Sequence, residues 1–362
     1  MSKLRIGILG CGGWAGPHAA RWEELSARMS VTAVCDPDAD QAAGAARRLG
    51  AGYADTDYRS LLDHVDAVMV ALPHDLHYPA AMTFLEAGKH VLMEQPLAVT
   101  EQQCLDLLYA SRSRGAVLMT ANPIRFDPLL VRLKALLEET AYGDVFQISS
   151  FAEHHIGQGL GQWTGRPSEG LGGGLLFGQG LPYIDLLLTL LGKPVCGTHM
   201  GTRLGTPWME REGTSNVSIR FESGAIGMHF GTAGARGTRL GFSIHAHCTE
   251  GLLELDLTRR RLYAHTRGRP ASDDGKPSAP QCELLMEVQE DKRLLHDALR
   301  HFLDCIELGK EPDAGAAGSL QGLRVIWRLY EAEAERCVAD LRGLGLEEDW
   351  SRVPVRHFGI SR

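Results

Sequence analysis

The stretch Ile6-Gly7-Ile8-Leu9-Gly10-Cys11-Gly12-Gly13-Trp14-Ala15-Gly16 lies almost at the start of the chain and decides its fold. The apolar run over 4–9 predicts a buried strand, and the pattern over 15–28 predicts a helix directly after the glycines. Glycines at such a turn let the backbone approach a ligand without a Cβ in the way, and the helix N-terminus offers free N–H groups to a phosphate. The spacing Gly10-x-Gly12-x-x-Ala15 matches the dinucleotide-binding fingerprint with alanine in its third place.

A second strand supports this interpretation. The apolar segment over 31–35 leads into Asp36, at the place where dinucleotide-binding proteins carry a carboxylate. A carboxylate there accepts hydrogen bonds from the ribose diol of NAD and repels the 2′-phosphate of NADP. We therefore expect NAD to be favoured over NADP.

The composition is typical of a globular protein with more than one domain. The chain has 362 residues, of which 44% are hydrophobic and 23% are charged, and its formal net charge is −8. This length predicts two domains. The negative charge, without a Lys/Arg run, argues against a nucleic-acid partner. The most apolar stretch, 181–191, is interrupted by Pro182 and Asp185 and is too short to cross a bilayer, so we expect no membrane partner.

Cysteine usage and the first residues indicate the compartment. The eight cysteines are scattered and form no C-x-x-C pair, which favours reduced thiols. The first residues lead directly into the predicted strand and leave no room for a signal peptide. We expect a cytoplasmic protein.

The first third of the chain alternates short apolar segments with helical patterns. Strands are predicted over 4–9, 31–35, 66–72, 90–93 and 117–121, and helices over 15–28, 38–49, 75–87 and 100–114. This alternation predicts an α/β domain with a doubly wound parallel sheet over 1–121. Ligands bind at the carboxyl ends of the strands in such sheets. The cofactor-binding candidates at these ends are Gly10, Gly12, Gly13, Trp14, Ala15, Asp36, Pro37, Leu72, Pro73, His74, His77, Glu94, Gln95 and Asn122.

The pattern changes near Asn122, and residues 122–362 predict an α+β domain built on an antiparallel sheet. Helices are predicted over 128–139, 180–191, 291–308 and 318–337, a strand over 145–153, hairpins over 217–230 and 242–257, and a surface loop over 268–280. Ten glycines between 157 and 180 indicate either a plain loop or a flap that closes over a substrate.

Several landmarks, in this order along the chain, resemble the Gfo/Idh/MocA family, which includes glucose–fructose oxidoreductase and inositol dehydrogenase. The landmarks are Gly10-Cys11-Gly12-Gly13-Trp14-Ala15, Val34-Cys35-Asp36-Pro37, Val70-Ala71-Leu72-Pro73-His74-Asp75-Leu76-His77, Leu85 to Ala98, Arg125-Phe126-Asp127-Pro128, Gly143-Asp144-Val145 and Gly172-Gly173-Gly174-Leu175-Leu176. The resemblance implies a Rossmann domain followed by a domain with a large, mostly antiparallel open sheet, often used to form a homodimer or homotetramer. It also implies a nicotinamide cofactor and a small-molecule substrate, namely a sugar, a cyclitol or a related polyol.

The resemblance weakens where the family carries its proton chemistry. The family's Glu-Lys-Pro tripeptide is Glu94-Gln95-Pro96 here, and the missing lysine usually touches both the nicotinamide and the reacting hydroxyl. Aligned from Gly172, the family's Asp and His fall on Gly178 and Pro182, and only a second Asp remains, as Asp185. Glutamine cannot accept a proton at neutral pH. If hydride transfer occurs, another group must carry the proton.

Four residues are therefore catalytic candidates. Gln95 can orient a carbonyl or the nicotinamide amide. His154 and His155 end a strand that we expect to face the cleft, and adjacent strand residues point to opposite faces, so at most one of them faces the cofactor. Tyr183 lies next to the lost histidine position. The substrate-binding candidates are Arg125, Trp163, Gln179 and Asp185.

A metal site is not expected. His245 and His247 share one face of a predicted strand, but no Asp, Glu or Cys lies near them in an obvious ligand pattern.

The leading hypothesis is an NAD(P)-dependent oxidoreductase of a polyol-like molecule with non-standard proton-transfer residues. A variant of it keeps NAD bound and oxidises its substrate transiently, which permits elimination or epimerisation. Two other classes stay open. One is a non-redox enzyme in the same cleft, and the other is a catalytically inactive nucleotide-binding sensor or scaffold.

Overall fold

The described residues of the protein form two sheets. The computed structural model describes residues 3–12, 22–157, 174–268, 278–289, 294–313 and 315–344. A six-stranded parallel sheet comes first along the chain, and a nine-stranded, mostly antiparallel sheet follows it. The α/β Rossmann class and the larger antiparallel sheet that the sequence predicts are confirmed.

The first sheet has the strand order β3-β2-β1-β4-β5-β6, and its strands pair in parallel. The strands are β1 (Leu4–Leu9), β2 (Met29–Cys35), β3 (Tyr53–Asp55), β4 (Ala67–Val70), β5 (His90–Met93) and β6 (Leu118–Thr120), and the helices between them are α1 (Ala39–Leu49), α2 (His74–Glu86) and α3 (Glu101–Arg114). Apolar residues occupy both faces of these strands because helices cover the sheet on both sides. All the strand ends that carry the cofactor candidates therefore meet along one edge.

Two features of this part differ from the prediction. The edge strand β3 was not predicted, because it is only three residues long and partly exposed, so it carries no apolar run. The helix predicted over 15–28 falls partly outside the described residues. Its described part contains only a 3-10 turn, Trp22–Leu25, before β2 begins at Met29.

The second sheet has the order β14-β13-β12-β11-β7-β10-β9-β8-β15. Its strands are β7 (Val145–Glu153), β8 (Pro194–Thr202), β9 (Thr214–Phe221), β10 (Ile226–Thr232), β11 (Phe242–Cys248), β12 (Leu252–Asp256), β13 (Arg261–Gly268), β14 (Ser278–Glu287) and β15 (Ala339–Asp340). The surface loop predicted over 268–280 is wrong at its end, because β14 begins at Ser278 and pairs with Gly268.

Helices cover one face of this sheet. A π-helical turn (Leu176–Gly180) continues into α5 (Leu181–Leu191), and we call these two segments together the site helix. The other helices in this half of the chain are α4 (Pro128–Glu138) and α7 (Ala316–Glu335), which contact this sheet, and α6 (Leu294–Leu308). Gly227 of β10 admits the site helix closely, since a Cβ there would lie 3.2 Å from the Leu187 side chain. Apolar residues on other parts of the sheet remain exposed, among them Met200 and Ile226.

The helix α6 packs against the first sheet, and α7 contacts both sheets. Phe302 and Leu303 of α6 belong to one apolar cluster with Ile6 and Met69. The N-cap of α7, Gly315, bridges to Met119 of β6. Among the helices in the described ranges, none combines the length and the apolar character that a membrane span needs.

Candidate functional site

The glycine turn after β1 has a backbone that only glycine accommodates. Gly10 has a φ of +91°, and a Cβ there would lie 2.1 Å from the carbonyl oxygen of Ala71. Its N–H donates to the carbonyl of Cys35 at 2.8 Å. The turn thus lies between the ends of β2 and β4, at the edge where a dinucleotide binds in such folds.

Asp36 lies beside this turn at the end of β2 and is 7% exposed. Its Oδ2 accepts from the Cys11 N–H at 2.8 Å, and its Oδ1 accepts from the Asp38 N–H at 3.0 Å. A carboxylate has about four acceptor positions, so both oxygens keep acceptor capacity for a ribose diol. The other candidates Gly12, Pro37, Leu72 and Pro73 are partly or fully exposed along the same edge.

His74 and His77 begin α2, directly after β4. Burial, with a smaller contribution from the neighbouring His77, lowers the pKa of His74 to about 4. His77 is fully buried, with Nδ1 2.7 Å from the Pro96 carbonyl and Nε2 2.8 Å from the Leu72 carbonyl. His77 therefore joins the loops after β4 and β5, and the structure places its ring beneath the cofactor edge rather than on it.

Glu94 and Gln95 follow β5 at this edge. Burial raises the pKa of Glu94 to about 8, and the only opposing contact is the Gln95 N–H, 3.3 Å from Oε2. Glu94 Oε1 and Gln95 Oε1 are buried and have no hydrogen-bond partner among the described residues. A carboxyl group that is buried without a cation stays protonated at neutral pH.

A buried ion pair links the first sheet to the site helix. Arg125 donates through Nε to Asp185 Oδ2 at 2.7 Å and through Nη2 to Asp185 Oδ1 at 2.5 Å. Asn122 donates through Nδ2 to the same carboxylate at 2.8 Å. Arg125 also donates to the Asp313 carbonyl at 2.6 Å. Asp185 thus accepts three hydrogen bonds from Arg125 and Asn122, which makes it a structural anchor of the site helix.

The π-helical turn of the site helix has a cause in the sequence. Pro182 has no N–H, and in a regular helix its ring would clash with the carbonyl four residues earlier, which belongs to Gly178. A π turn widens the helix by one residue and relieves such a conflict. The two positions that the family fills with Asp and His are therefore a glycine in the widened turn and the proline that follows it.

His154 follows β7 and contacts the site helix. The Gln179 side chain of the site helix lies close enough to favour the protonated ring. The Nδ1 of His154 is buried and has no hydrogen-bond partner among the described residues. Its ring stacks on Phe242 with 5.7 Å between centroids, and burial lowers its pKa. His155 instead is exposed, with its ring 6.3 Å from that of Trp208. The structure therefore brings only His154 of this pair to the site helix.

Tyr183 of the site helix packs against the second sheet. Its ring stacks on His229 of β10, with 4.6 Å between centroids, and burial raises its pKa. His229 is 2% exposed, and its Nδ1 lies 3.0 Å from Ser150 Oγ. Burial lowers the pKa of His229 to about 3. Tyr183 thus keeps its proton at neutral pH, and it cannot serve as a base.

Glu212 and Tyr330, which the sequence analysis did not identify, hold the start of the site helix. The Tyr330 hydroxyl donates to Glu212 Oε1 at 2.6 Å and accepts from the Phe177 N–H at 3.2 Å. Glu212 Oε1 also accepts from the Leu176 N–H at 3.2 Å. These contacts satisfy N–H groups that a helix start leaves open. A Cβ on Gly174 would lie 2.1 Å from Glu212 Oε1, so this last glycine of the Gly-Gly-Gly motif makes room for the carboxylate.

Tyr330→Phe is expected to lower the free energy of unfolding by about 1–3 kcal/mol, because the Phe177 N–H loses its acceptor and Glu212 loses a donor. Urea unfolding followed by tryptophan fluorescence measures this. The matched control is Tyr109→Phe, since Tyr109 is 58% exposed and its hydroxyl should contribute little. An equal, negligible effect of both variants would contradict the proposed capping.

Four predicted site residues, Gly13, Trp14, Ala15 and Trp163, lie outside the described residues. Within the described ranges, no three His, Cys, Asp or Glu side chains are grouped in a way that could hold a metal ion. His265 Nε2 lies 2.7 Å from Glu254 Oε2 on the second sheet, in the same part of the sheet as His245 and His247.

Comparison with known proteins agrees with this arrangement. Residues 4–122 match the family model described as "Oxidoreductase family, NAD-binding Rossmann fold", and residues 130–254 match the Gfo/Idh/MocA C-terminal domain. The chain is 28% identical over 352 residues to inositol 2-dehydrogenase 2 of Saccharopolyspora erythraea, covering 92% of each chain. It is 27% identical over 300 residues to levoglucosan dehydrogenase of Pseudarthrobacter phenanthrenivorans, covering 72% of this chain and 75% of that protein.

Solved structures share the fold over nearly the full length. Levoglucosan dehydrogenase in complex with NADH superposes with a TM-score of 0.81 at 20% identity, covering 94% of this chain and 99% of that one. An NAD-binding oxidoreductase from Klebsiella pneumoniae gives a TM-score of 0.79 at 22% identity, with the same coverage. From the two family domains, the conserved fold and the dinucleotide edge together, we conclude that this chain is an NAD-dependent oxidoreductase that belongs to the Gfo/Idh/MocA family.

Proposed function

We propose that this chain transfers a hydride between NAD(H) and a hydroxyl-bearing carbon of a sugar, a cyclitol or a related polyol, with NAD favoured over NADP. The single observation that carries the proposal is the carboxylate of Asp36, held against the Gly10 turn by the Cys11 N–H. Bound NAD would supply the hydride acceptor. Relatives named inositol 2-dehydrogenase and D-glucoside 3-dehydrogenase support the substrate class.

The cofactor preference follows from charge. Asp36 keeps acceptor capacity for a ribose diol, whereas the 2′-phosphate of NADP would meet a carboxylate that is already desolvated. Gly10, Gly12, Gly13, Trp14 and Ala15 are proposed to bind the pyrophosphate through backbone N–H groups. Leu72, Pro73, His74, Glu94, Gln95 and Asn122 are proposed to line the nicotinamide end.

Titration of the purified protein with NADH and NADPH, followed by nucleotide fluorescence, tests this. NADH is expected to bind about 10- to 100-fold more tightly, the factor that one or two charge-assisted hydrogen bonds supply. Asp36→Asn should remove most of that preference. Asp38→Asn removes the same charge two residues later and should keep it, because Asp38 caps α1. Failure to bind either nucleotide, or an equal affinity of the unsubstituted protein for both, would refute the proposal.

We propose His154 as the group that accepts the substrate proton. Its Nδ1 has no hydrogen-bond partner among the described residues and is thus available as the acceptor, and its lowered pKa keeps the ring neutral at neutral pH. Gln95 would orient the reacting oxygen, and Gln179 would orient His154. A substrate panel with NAD, monitored by NADH absorbance, tests turnover. Nucleotide binding without any turnover would favour the sensor class.

The proposal also covers the domain boundary, the location in the cell and the oligomeric state. We propose a domain boundary at 121/122, between the end of β6 and the turn that carries Asn122. We also propose a cytoplasmic location, and a homodimer or homotetramer that forms through the exposed side of the second sheet. Native mass spectrometry reports the subunit number and any bound nucleotide together.

A further inference from the structure

A small polar pocket lies between the first sheet, the site helix and the start of α7. The side chains that line it are Gln95, Thr120, Asn122, Arg125, Leu181, Asp185 and Ser319, together with Gly315. Three polar atoms of these side chains, Gln95 Oε1, Asn122 Oδ1 and Ser319 Oγ, are buried and have no hydrogen-bond partner among the described residues. Buried polar atoms without partners are rare in folded proteins, so three at one pocket require an explanation.

The orientation of Asn122 fixes what the pocket can bind. Its Nδ2 donates to Asp185, and the reverse orientation would place two oxygens against each other, so Oδ1 faces away from the carboxylate as an acceptor. Gln95 offers a second amide oxygen. Ser319 can donate or accept. The three atoms therefore match a partner that donates twice and accepts once.

The charges that line the pocket and the space inside it further restrict which molecule can bind there. The Arg125 guanidinium at the pocket disfavours a cation, and the Asp185 carboxylate disfavours an anion, while each already neutralises the other. The space between the side chains is about the size of one water molecule. A buried water typically makes about three hydrogen bonds, two as donor and one as acceptor in this arrangement.

We propose that this pocket is a binding site for a single ordered water molecule, which joins Gln95 to Asn122 and Ser319 and thereby holds the Gln95 side chain in place at the cofactor edge. The water donates to the amide oxygens of Gln95 and Asn122 and accepts from the Ser319 hydroxyl. Ser319 and Asn122 are then positioning residues that act on Gln95 through this water. The functional part of the inference rests on the proposed function, and the binding site itself does not.

Ser319→Ala tests the proposal through the sign of its effect on stability. If the water is bound, the variant removes one of its three partners, and the Tm should fall by about 2–4 °C, the shift that loss of one buried hydrogen bond gives in a domain of this size. If nothing occupies the pocket, the variant removes a buried hydroxyl without a partner, and the Tm should rise. The reference is Ser111→Ala, because the Ser111 hydroxyl is buried and donates to the Ala116 carbonyl at 2.6 Å, so its loss sets the scale.

A high-resolution crystal structure of the unsubstituted protein gives the direct readout. One water within about 2.7–3.2 Å of all three atoms supports the proposal. A dry pocket, or a pocket filled by a cofactor or substrate atom in the liganded crystal, overturns it. Both this readout and the Tm are measured without turnover, so they remain decisive if the proposed function fails.

The positioning role has its own readout. Ser319→Ala should weaken NADH binding or raise KM by about 2- to 10-fold, because Gln95 loses its fixed orientation. Ser111→Ala should leave both quantities unchanged at a similar Tm. Equal kinetic behaviour of the two variants would overturn the positioning role.

Discussion

His154→Asn is expected to lower kcat by about 10²–10⁴-fold, the range that a positioned general base contributes. Asparagine keeps a polar side chain of similar reach, but it cannot accept a proton at neutral pH. Nucleotide affinity should change little, because His154 lies on the second sheet rather than at the glycine turn. Steady-state kinetics with NAD and the best substrate of the panel provides the measurement.

The neighbouring histidine is the matched control. His155 is exposed and faces Trp208, so His155→Asn should change kcat by less than about twofold. If His155→Asn is the more damaging of the two, the assignment to His154 is wrong.

The pH profile separates a base from a structural residue. Burial lowers the pKa of His154, so the neutral ring persists as the pH falls below the usual histidine range. The unsubstituted enzyme should therefore lose kcat on its acid limb only below about pH 6.5, where the ring becomes protonated. His154→Asn should lack that limb. A limb that persists in the variant belongs to another group.

Local sequence was sufficient to predict that the glycine turn and Asp36 lie at one edge of the first sheet. The glycine turn follows β1 and Asp36 follows β2, and the match depends on a short, fixed spacing that a single sequence contains. Hydrophobic periodicity predicted most of the strands and helices for the same reason, since each of those patterns is complete within about ten residues.

The second half of the site depended on contacts between distant residues. Tyr330 meets Glu212 across 118 positions, and His229 meets Ser150 across 79. Neither pair could be identified from a local spacing, because its two residues are far apart in the sequence. Each residue on its own has the sequence surroundings of an ordinary strand, loop or helix residue. A buried Glu beside a glycine motif is recognisable only once the loop before β9 has folded against the site helix.

The π turn shows an intermediate case. The sequence predicts a helix over 180–191 and contains Pro182, whose conflict with the preceding turn is evident from chemistry alone. The sequence alone does not determine whether the helix kinks, breaks or widens at such a conflict, because this depends on the contacts that the helix makes with the rest of the fold. Here Glu212 and Tyr330 hold Leu176 and Phe177, and the helix forms a π turn before the proline and continues through it as an α-helix.

Glu94→Gln is expected to raise the free energy of unfolding by about 3–5 kcal/mol at pH 8.5 and to change it little near pH 4. Burial raises the pKa of Glu94 from 4.5 to about 8 in the folded protein. The unfolded chain therefore releases this proton near pH 4.5, whereas the folded protein holds it until about pH 8. Stability contributed by the neutral carboxyl is fully present below pH 4.5, and it is lost progressively as the pH rises from about 4.5 to about 8.

Glutamine has nearly the same shape and cannot ionise, so it removes this loss without opening a cavity. Urea unfolding of the nucleotide-free protein at several pH values between 4 and 9 measures the difference. Glu86→Gln, an exposed change of the same kind at the end of α2, should leave the pH dependence of the free energy of unfolding unaltered.

Parallel pH profiles for the unsubstituted protein and Glu94→Gln would mean that Glu94 is ionised and paired in the folded state. Divergence above pH 5 would instead show that the protein tolerates a destabilising acid at its cofactor edge. Selection for stability alone would have replaced the Glu94 carboxyl by its amide. A loss of folding free energy of this kind therefore indicates that the carboxyl is needed for function. Glu94→Gln should then bind NADH differently from the unsubstituted protein above pH 8, where only the latter carries a charge at this position.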